Sequence, residues 1–256
     1  MAWAEAGQLK ASSVIPVTDP EKISLDDLLV EVEAARGEDP EAALARLEDA
    51  DEELQQRPEA RLLASDLTWE TSGAESARPR LEELVRDVPD YADARHLLGC
   101  IYDELGQESA KVEQFLEVLR LDEGLDPMLD VDDPRAVEDV IVEAAEGAVA
   151  ALPEAFRERL TDVPILVEPR PSEELVREGF DPRALGLFEG PTHAEREQGD
   201  AAQAAETTRI VLYSANLASE SLDEDQLRTE VATTVWHEVG HYFGLDEDEL
   251  TRMGLD

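Results

Sequence analysis

The sequence is short of almost everything that holds a chain together other than a core. Its 256 residues include a single cysteine, Cys100, which excludes an internal disulfide and any cysteine-rich zinc framework and fits a reducing compartment. There are only four histidines, so a metal must be held by a few imidazoles together with carboxylates. No stretch approaches the ~20 apolar residues needed to span a bilayer. Met1 to Lys10 has no basic patch followed by an apolar run. Basic residues are scarce as well: 22 Lys and Arg face 63 Asp and Glu, a formal charge of −41. That excess repels phosphate backbones and anionic lipid, so neither nucleic acid nor membrane is an expected partner. The expectation is a soluble, unsecreted, cytoplasmic protein whose acid coats helix faces. Apolar residues make up 42% of the chain, enough for a core, and the length suits two ordinary domains.

Residues 1–23 contain Pro16 and Pro20 without apolar periodicity and are expected to form a loose lead-in. From Ser24 onward apolar positions recur at spacings of three and four, punctuated by Gly37, Gly73 and Gly106 at intervals near the ~34-residue period of tetratricopeptide helix pairs. The clearest unit is Ala92 to Asp122, with Leu98, Gly99, Tyr102 and Phe115 at the spacings such a repeat uses. A second, Pro58 to Pro89, has Ser65 where the small glycine belongs. Residues 24–125 thus resemble a degenerate tetratricopeptide array, and an unrelated helical bundle is the alternative. Pro127, Asp130, Asp132, Asp133 and Pro134 break the helical pattern, so a linker is expected at 126–134 and a second domain at 135–256. Helices are expected there at Arg135–Leu152 and Glu154–Leu160, and strands at Val163–Val167, Ala184–Phe188 and Ile210–Tyr213. A polar surface excursion is expected over Glu189–Thr208, then a last helix from Glu224 to Phe243 stopped by Gly244. The fold class is α+β: an all-α helical-repeat domain, then a small sheet with an active-site helix.

That last helix carries His237, Glu238 and His241 in an HExxH pattern. Residues four apart lie about 40° from each other on a helical wheel, so the two imidazoles meet one metal ion from the same side. Glu238, about 100° from His237, reaches a water in the open position without displacing it. Two imidazoles and a carboxylate suit one zinc ion, with a fourth position left for water. The helix cannot supply the third ligand, and Gly244 can turn the chain back toward the metal. Glu247 is the candidate, and Asp246 and Asp248 stand beside it as alternatives. Glu230 and Thr234 are candidates to hold an imidazole N–H. Gly240 is expected to admit a neighbouring strand, and Val231, Val235, Trp236, Val239, Tyr242 and Phe243 to cover the buried arc. His96 and His193 are expected to be structural or exposed.

Over roughly residues 140–256 the chain is similar to short bacterial zincin-like metallopeptidases with an HExxHxxGxxD/E motif. The likeness rests on Ala151–Leu160, Val163–Glu168, Leu185–Gly190, Arg209–Tyr213 and Thr234–Leu250. It implies zinc held by His237, His241 and Glu247, with Glu238 as the general base; a peptide or protein is the expected substrate. The substrate is expected along the strand Arg209–Tyr213, with Tyr213 or Tyr242 beside the developing oxyanion. The helical repeats are expected to recruit a protein partner or the substrate. The alternatives are a repeat adaptor with a structural or vestigial zinc site, and hydrolysis of a non-peptide bond.

Overall fold

A computed structural model of the chain describes residues 23–124, 134–198 and 208–254. The expected lead-in at 1–23 and linker at 126–134 lie almost entirely outside these residues. Two compact units divide between Arg80 and Leu81, inside the helix Ala74–Asp87. The first unit contains α1 (Leu25–Arg36), α2 (Pro40–Glu48), the single turn α3 (Glu52–Gln55) and α4 (Pro58–Ser72). Their starts follow from capping. Ser24 Oγ accepts from the Asp27 N–H, and the Asp39 carboxylate accepts from the Ala42 N–H just ahead of Pro40. The three- and four-residue spacing places Leu28 and Val32, Ala43 and Leu47, and Leu63 and Leu67 in one buried cluster. The dividing helix, Ala74–Asp87, is α5.

In the second unit α6 (Ala92–Glu104) and α7 (Glu108–Asp122) form a pair joined through Gly106, whose φ of +65° suits a residue without a side chain. Gly99 works by size instead. A Cβ there would fall 2.3 Å from Phe115 Cε1, so only glycine lets the ring lie against α6. The chain continues through α8 (Pro134–Ala151), α9 (Glu154–Arg157) with a 3-10 turn to Leu160, and β1 (Ile165–Glu168). Then come α10 (Glu173–Arg177), β2 (Gly186–Glu189), α11 (His193–Gln198) and β3 (Arg209–Tyr213). The last elements are α12 (Ser214–Ser219), α13 (Glu224–Tyr242) and α14 (Glu247–Met253). Among the described residues the architecture is α+β, mostly helical with one small sheet. Part of the surface excursion expected over Glu189–Thr208 is helical, as α11, and 199–207 fall outside the described residues.

The sheet order is β1-β3-β2. β3 runs parallel to β1, with Ile165 beside Ile210, and antiparallel to β2, with Gly186 opposite Leu212. β3 is therefore the central strand, and Ile210, Val211, Leu212 and Tyr213 are all buried. This corrects the expectation that a substrate lies along Arg209–Tyr213, because both sides of that ladder are occupied. Its unbroken apolar run already had the character of a strand covered on both faces. One core joins Ile141 and Ala145 of α8, Leu212 of β3, Leu217 of α12, and Val231 and Val235 of α13.

Candidate metal centre

α13 starts where the Asp223 carboxylate accepts from the Gln226 N–H, and its two faces have different fates. Leu227, Val231, Val235, Val239 and Tyr242 are buried in the core, and Trp236 packs beside them with its indole N–H donating to the Ala148 carbonyl at 3.1 Å. The opposite face, with Glu230, Thr233, Thr234, His237, Glu238 and His241, lines a cleft of about 630 Å³. Leu185, Gly186, Leu187 and Phe188 form part of the facing wall, together with Phe180.

The Nε2 atoms of His237 and His241 lie 3.0 Å apart. α13 ends at Tyr242, and Gly244 takes a φ of +83°, a conformation side chains resist. The chain then folds back so that His241 Nδ1 lies 3.2 Å from the Leu245 carbonyl. A carbonyl only accepts, so Nδ1 carries the proton and Nε2 keeps its lone pair toward the cleft. This backbone partner was missed in the sequence, where Glu230 and Thr234 were the candidates for such a role. Thr234 Oγ1 donates instead to the Glu230 carbonyl.

α14, which the sequence pattern did not reveal, positions the third acid. Asp246 is its cap: the Asp246 carboxylate accepts from the Glu249 N–H, and the Glu249 carboxylate accepts from the Asp246 N–H. Those two acids are occupied by each other. Glu247, at the first position of α14, points its carboxylate to within 3.6 Å of His237 Nε2 and 3.3 Å of His241 Nε2. The three donor atoms lie within 4.8 Å of one another, and neither Asp246 nor Asp248 joins them. Donors around a tetrahedral zinc ion stand about 3.3 Å apart, so this two-nitrogen, one-oxygen set fits the ion.

Two glycines make the approach possible, and the one expected to admit a strand is not the one that does. A Cβ on Gly240 would lie 2.4 Å from Leu250 Cδ2, so Gly240 admits α14 rather than a strand. The strand's approach depends on Gly186, where a Cβ would lie 2.7 Å from Thr234 Cγ2 and 2.9 Å from Glu238 Oε1. A lone glycine in the middle of the expected strand Ala184–Phe188 was the available signal. Glu238 is 6% exposed and accepts a hydrogen bond from the Phe188 N–H. Burial pushes its carboxyl up to about 7, against the opposing pull of His237 and that N–H.

Neither tyrosine expected beside an oxyanion lines the cleft. The Tyr242 hydroxyl donates to the Arg159 carbonyl at 3.0 Å, and Tyr213 lines a separate pocket with Glu168, Glu189 and Arg209. Burial, then Glu168 and Glu189, push the Tyr213 hydroxyl up, so it stays protonated. His193 Nδ1 lies 3.3 Å from the Tyr242 hydroxyl, and His193 does not line the cleft. His96 pairs with Asp181. Burial opposes charge on its ring, but the bonds to Asp181 and Cys100 outweigh it and push His96 up to about 10.

Two imidazoles one turn apart, a carboxylate returned by the following helix and a buried acid beside the first histidine are the donors and the acid that a zinc hydrolase requires. Residues 160–255 match the family model of the zincin-like metallopeptidases, and a helical region precedes the match. At family level this supports a zinc metallopeptidase, with peptides or proteins as the implied substrates. No curated protein matches the chain. No helix among the described residues is long and apolar enough to cross a membrane.

Proposed function

We propose that this protein hydrolyses peptide bonds with one zinc ion held by His237, His241 and Glu247, and with Glu238 as general base. The observation that carries the reading is the meeting of these four side chains in one cleft. When bound there, zinc supplies Lewis acidity that polarises a carbonyl and acidifies a water. Glu238 takes the proton of the attacking water and returns it to the leaving nitrogen. Its buried position supports that role, since a carboxyl raised toward neutrality both accepts and releases a proton near pH 7. The Phe188 N–H orients the carboxylate, and the Leu245 carbonyl fixes the tautomer of His241.

β2 is the strand that suits a peptide substrate. It is an edge of the sheet and lines the cleft. The Tyr213 N–H donates to the Leu185 carbonyl, and antiparallel ladders alternate, so the backbone groups of Gly186 and Phe188 point outward, with the Phe188 N–H already taken by Glu238. A peptide added along that edge passes over Glu238. Helices within residues 24–125 present the protein partner or substrate to the domain in this reading. An adaptor with a vestigial site would have no use for a buried, hydrogen-bonded Glu238.

The test is hydrolysis of a mixed peptide library by zinc-loaded protein and by Glu238→Gln. Turnover should fall about 10²- to 10⁴-fold in the variant while zinc stoichiometry stays unchanged. Equal turnover in both proteins would overturn the proposal.

A further inference from the structure

α6 carries a second constellation. His96 and Cys100 are four residues apart, so their side chains leave the same face of the helix. Asp181, in the segment between α10 and β2, reaches the same point. Its Oδ1 and Oδ2 lie 2.9 and 3.0 Å from His96 Nε2, and Cys100 Sγ lies 4.0 Å from that same nitrogen. One nitrogen, one sulfur and one oxygen thus lie within 4.8 Å of one another. A Cys–His–acid nucleophile is a poor account of this arrangement. It needs the acid on one ring nitrogen and the thiol on the other, whereas here both crowd Nε2. Convergence of three donors on one point is what a shared cation requires.

We propose that His96, Cys100 and Asp181 form a second metal site, for zinc or a similarly borderline-soft divalent ion, separate from the centre on α13. Imidazole, thiolate and carboxylate are all zinc ligands. Zn–N, Zn–O and Zn–S distances of ~2.0 to ~2.3 Å put tetrahedral donors about 3.3 to 3.6 Å apart. The two distances to His96 Nε2 therefore need to change by no more than about half an ångström, and the sulfur–oxygen separation, already within 4.8 Å, has to close to about 3.6 Å. Asp181 is already held in place: its Oδ1 accepts from the Arg183 N–H at 2.7 Å. The Arg183 guanidinium is anchored in turn on Asp122, at 2.7 and 3.0 Å, and on Asp93, at 2.8 Å. The His96 ring is fixed by stacking on Phe115. The side chains of His96 and Asp181 are 25% and 39% exposed, which gives an ion access and leaves a fourth position for water.

The site lies where a clamp is useful. Asp181 follows Phe180 and precedes Ala184, and both of these line the α13 cleft. An ion shared by α6 and Asp181 ties the segment that enters β2 to a rigid helix, and so holds the wall that faces Glu238.

Cobalt(II) tests this directly, because Cys100 is the only thiol in the chain. A sulfur-to-cobalt charge-transfer band in the near ultraviolet reports on this site alone, since the α13 centre has no sulfur. The metal-free full chain titrated with cobalt(II) should develop that band with one equivalent of ion. The band and that equivalent should be lost in Cys100→Ser, weakened in Asp181→Asn, and kept in the double variant His237→Ala, His241→Ala. No band in the wild-type protein at saturating cobalt overturns the proposal, whether or not the α13 centre binds. So does a band unchanged by Asp181→Asn, or one lost in the double variant. Each readout is independent of peptide hydrolysis.

Discussion

At the residue scale, single atoms decide whether the cleft exists. Gly186 is the sharpest case, because any side chain there collides with Thr234 and with the Glu238 carboxylate. Gly186→Ala is expected to displace Glu238 rather than to unfold the sheet. The turnover number should fall about 10²-fold, the cost of roughly an ångström of misplacement at a reacting group, with zinc content unchanged. Parallel measurement of kcat and bound zinc checks this, and a wild-type kcat would refute it. The glycine was visible in the sequence, but its partner was not. Gly240 looked like the residue that admits a strand, and it admits Leu250 instead. Helical spacing says which residues share a face, while it takes the packed structure to say what that face meets.

At the scale of elements, α13 was legible almost to the residue. Its start at Glu224, its buried arc and its stop at Gly244 all follow from local chemistry. The strands were legible to within a residue or two. α14 was not, because seven residues with three acids in the first turn have no apolar rhythm to read. Its capping box nevertheless fixes the helix whose first residue is Glu247. Asp246→Ala should cost about 1 kcal/mol of stability, the usual cost of a lost cap, and should weaken zinc binding. Glu247→Ala should weaken zinc binding more without that loss of stability. Thermal melts of the metal-free proteins and zinc titrations of both variants separate the two effects. If Asp246→Ala binds zinc as wild type does, Glu247 needs no helix to hold it.

At the scale of the whole molecule, the charge of −41 sets behaviour that no single contact does. Like charges at this density repel one another in the compact state, and salt screens them within about 10 Å at 0.1 M. The metal-free protein should therefore melt at a higher temperature as sodium chloride is raised from low to moderate concentration. A melting temperature that falls would mean that attractive ion pairs such as those of Arg36 and Arg183 dominate. Zinc should add stability of its own, since an ion that binds only the folded site stabilises it by mass action. That gain should shrink as pH falls, because protons compete for the imidazole nitrogens. Melts with and without zinc at two pH values measure it, and a pH-independent gain would argue against histidine ligands.

The sequence alone determined the α+β class, the helix that carries His237, Glu238 and His241, and the turn at Gly244, because each depends on interactions within a few residues. Tertiary structure decided the rest: which of three neighbouring acids meets the histidines, which strand is central and which is the edge beside the cleft, and that His96, Cys100 and Asp181 come together across 85 residues of chain. These depend on which surfaces pack against which, and periodicity along a chain does not encode the partner of a face.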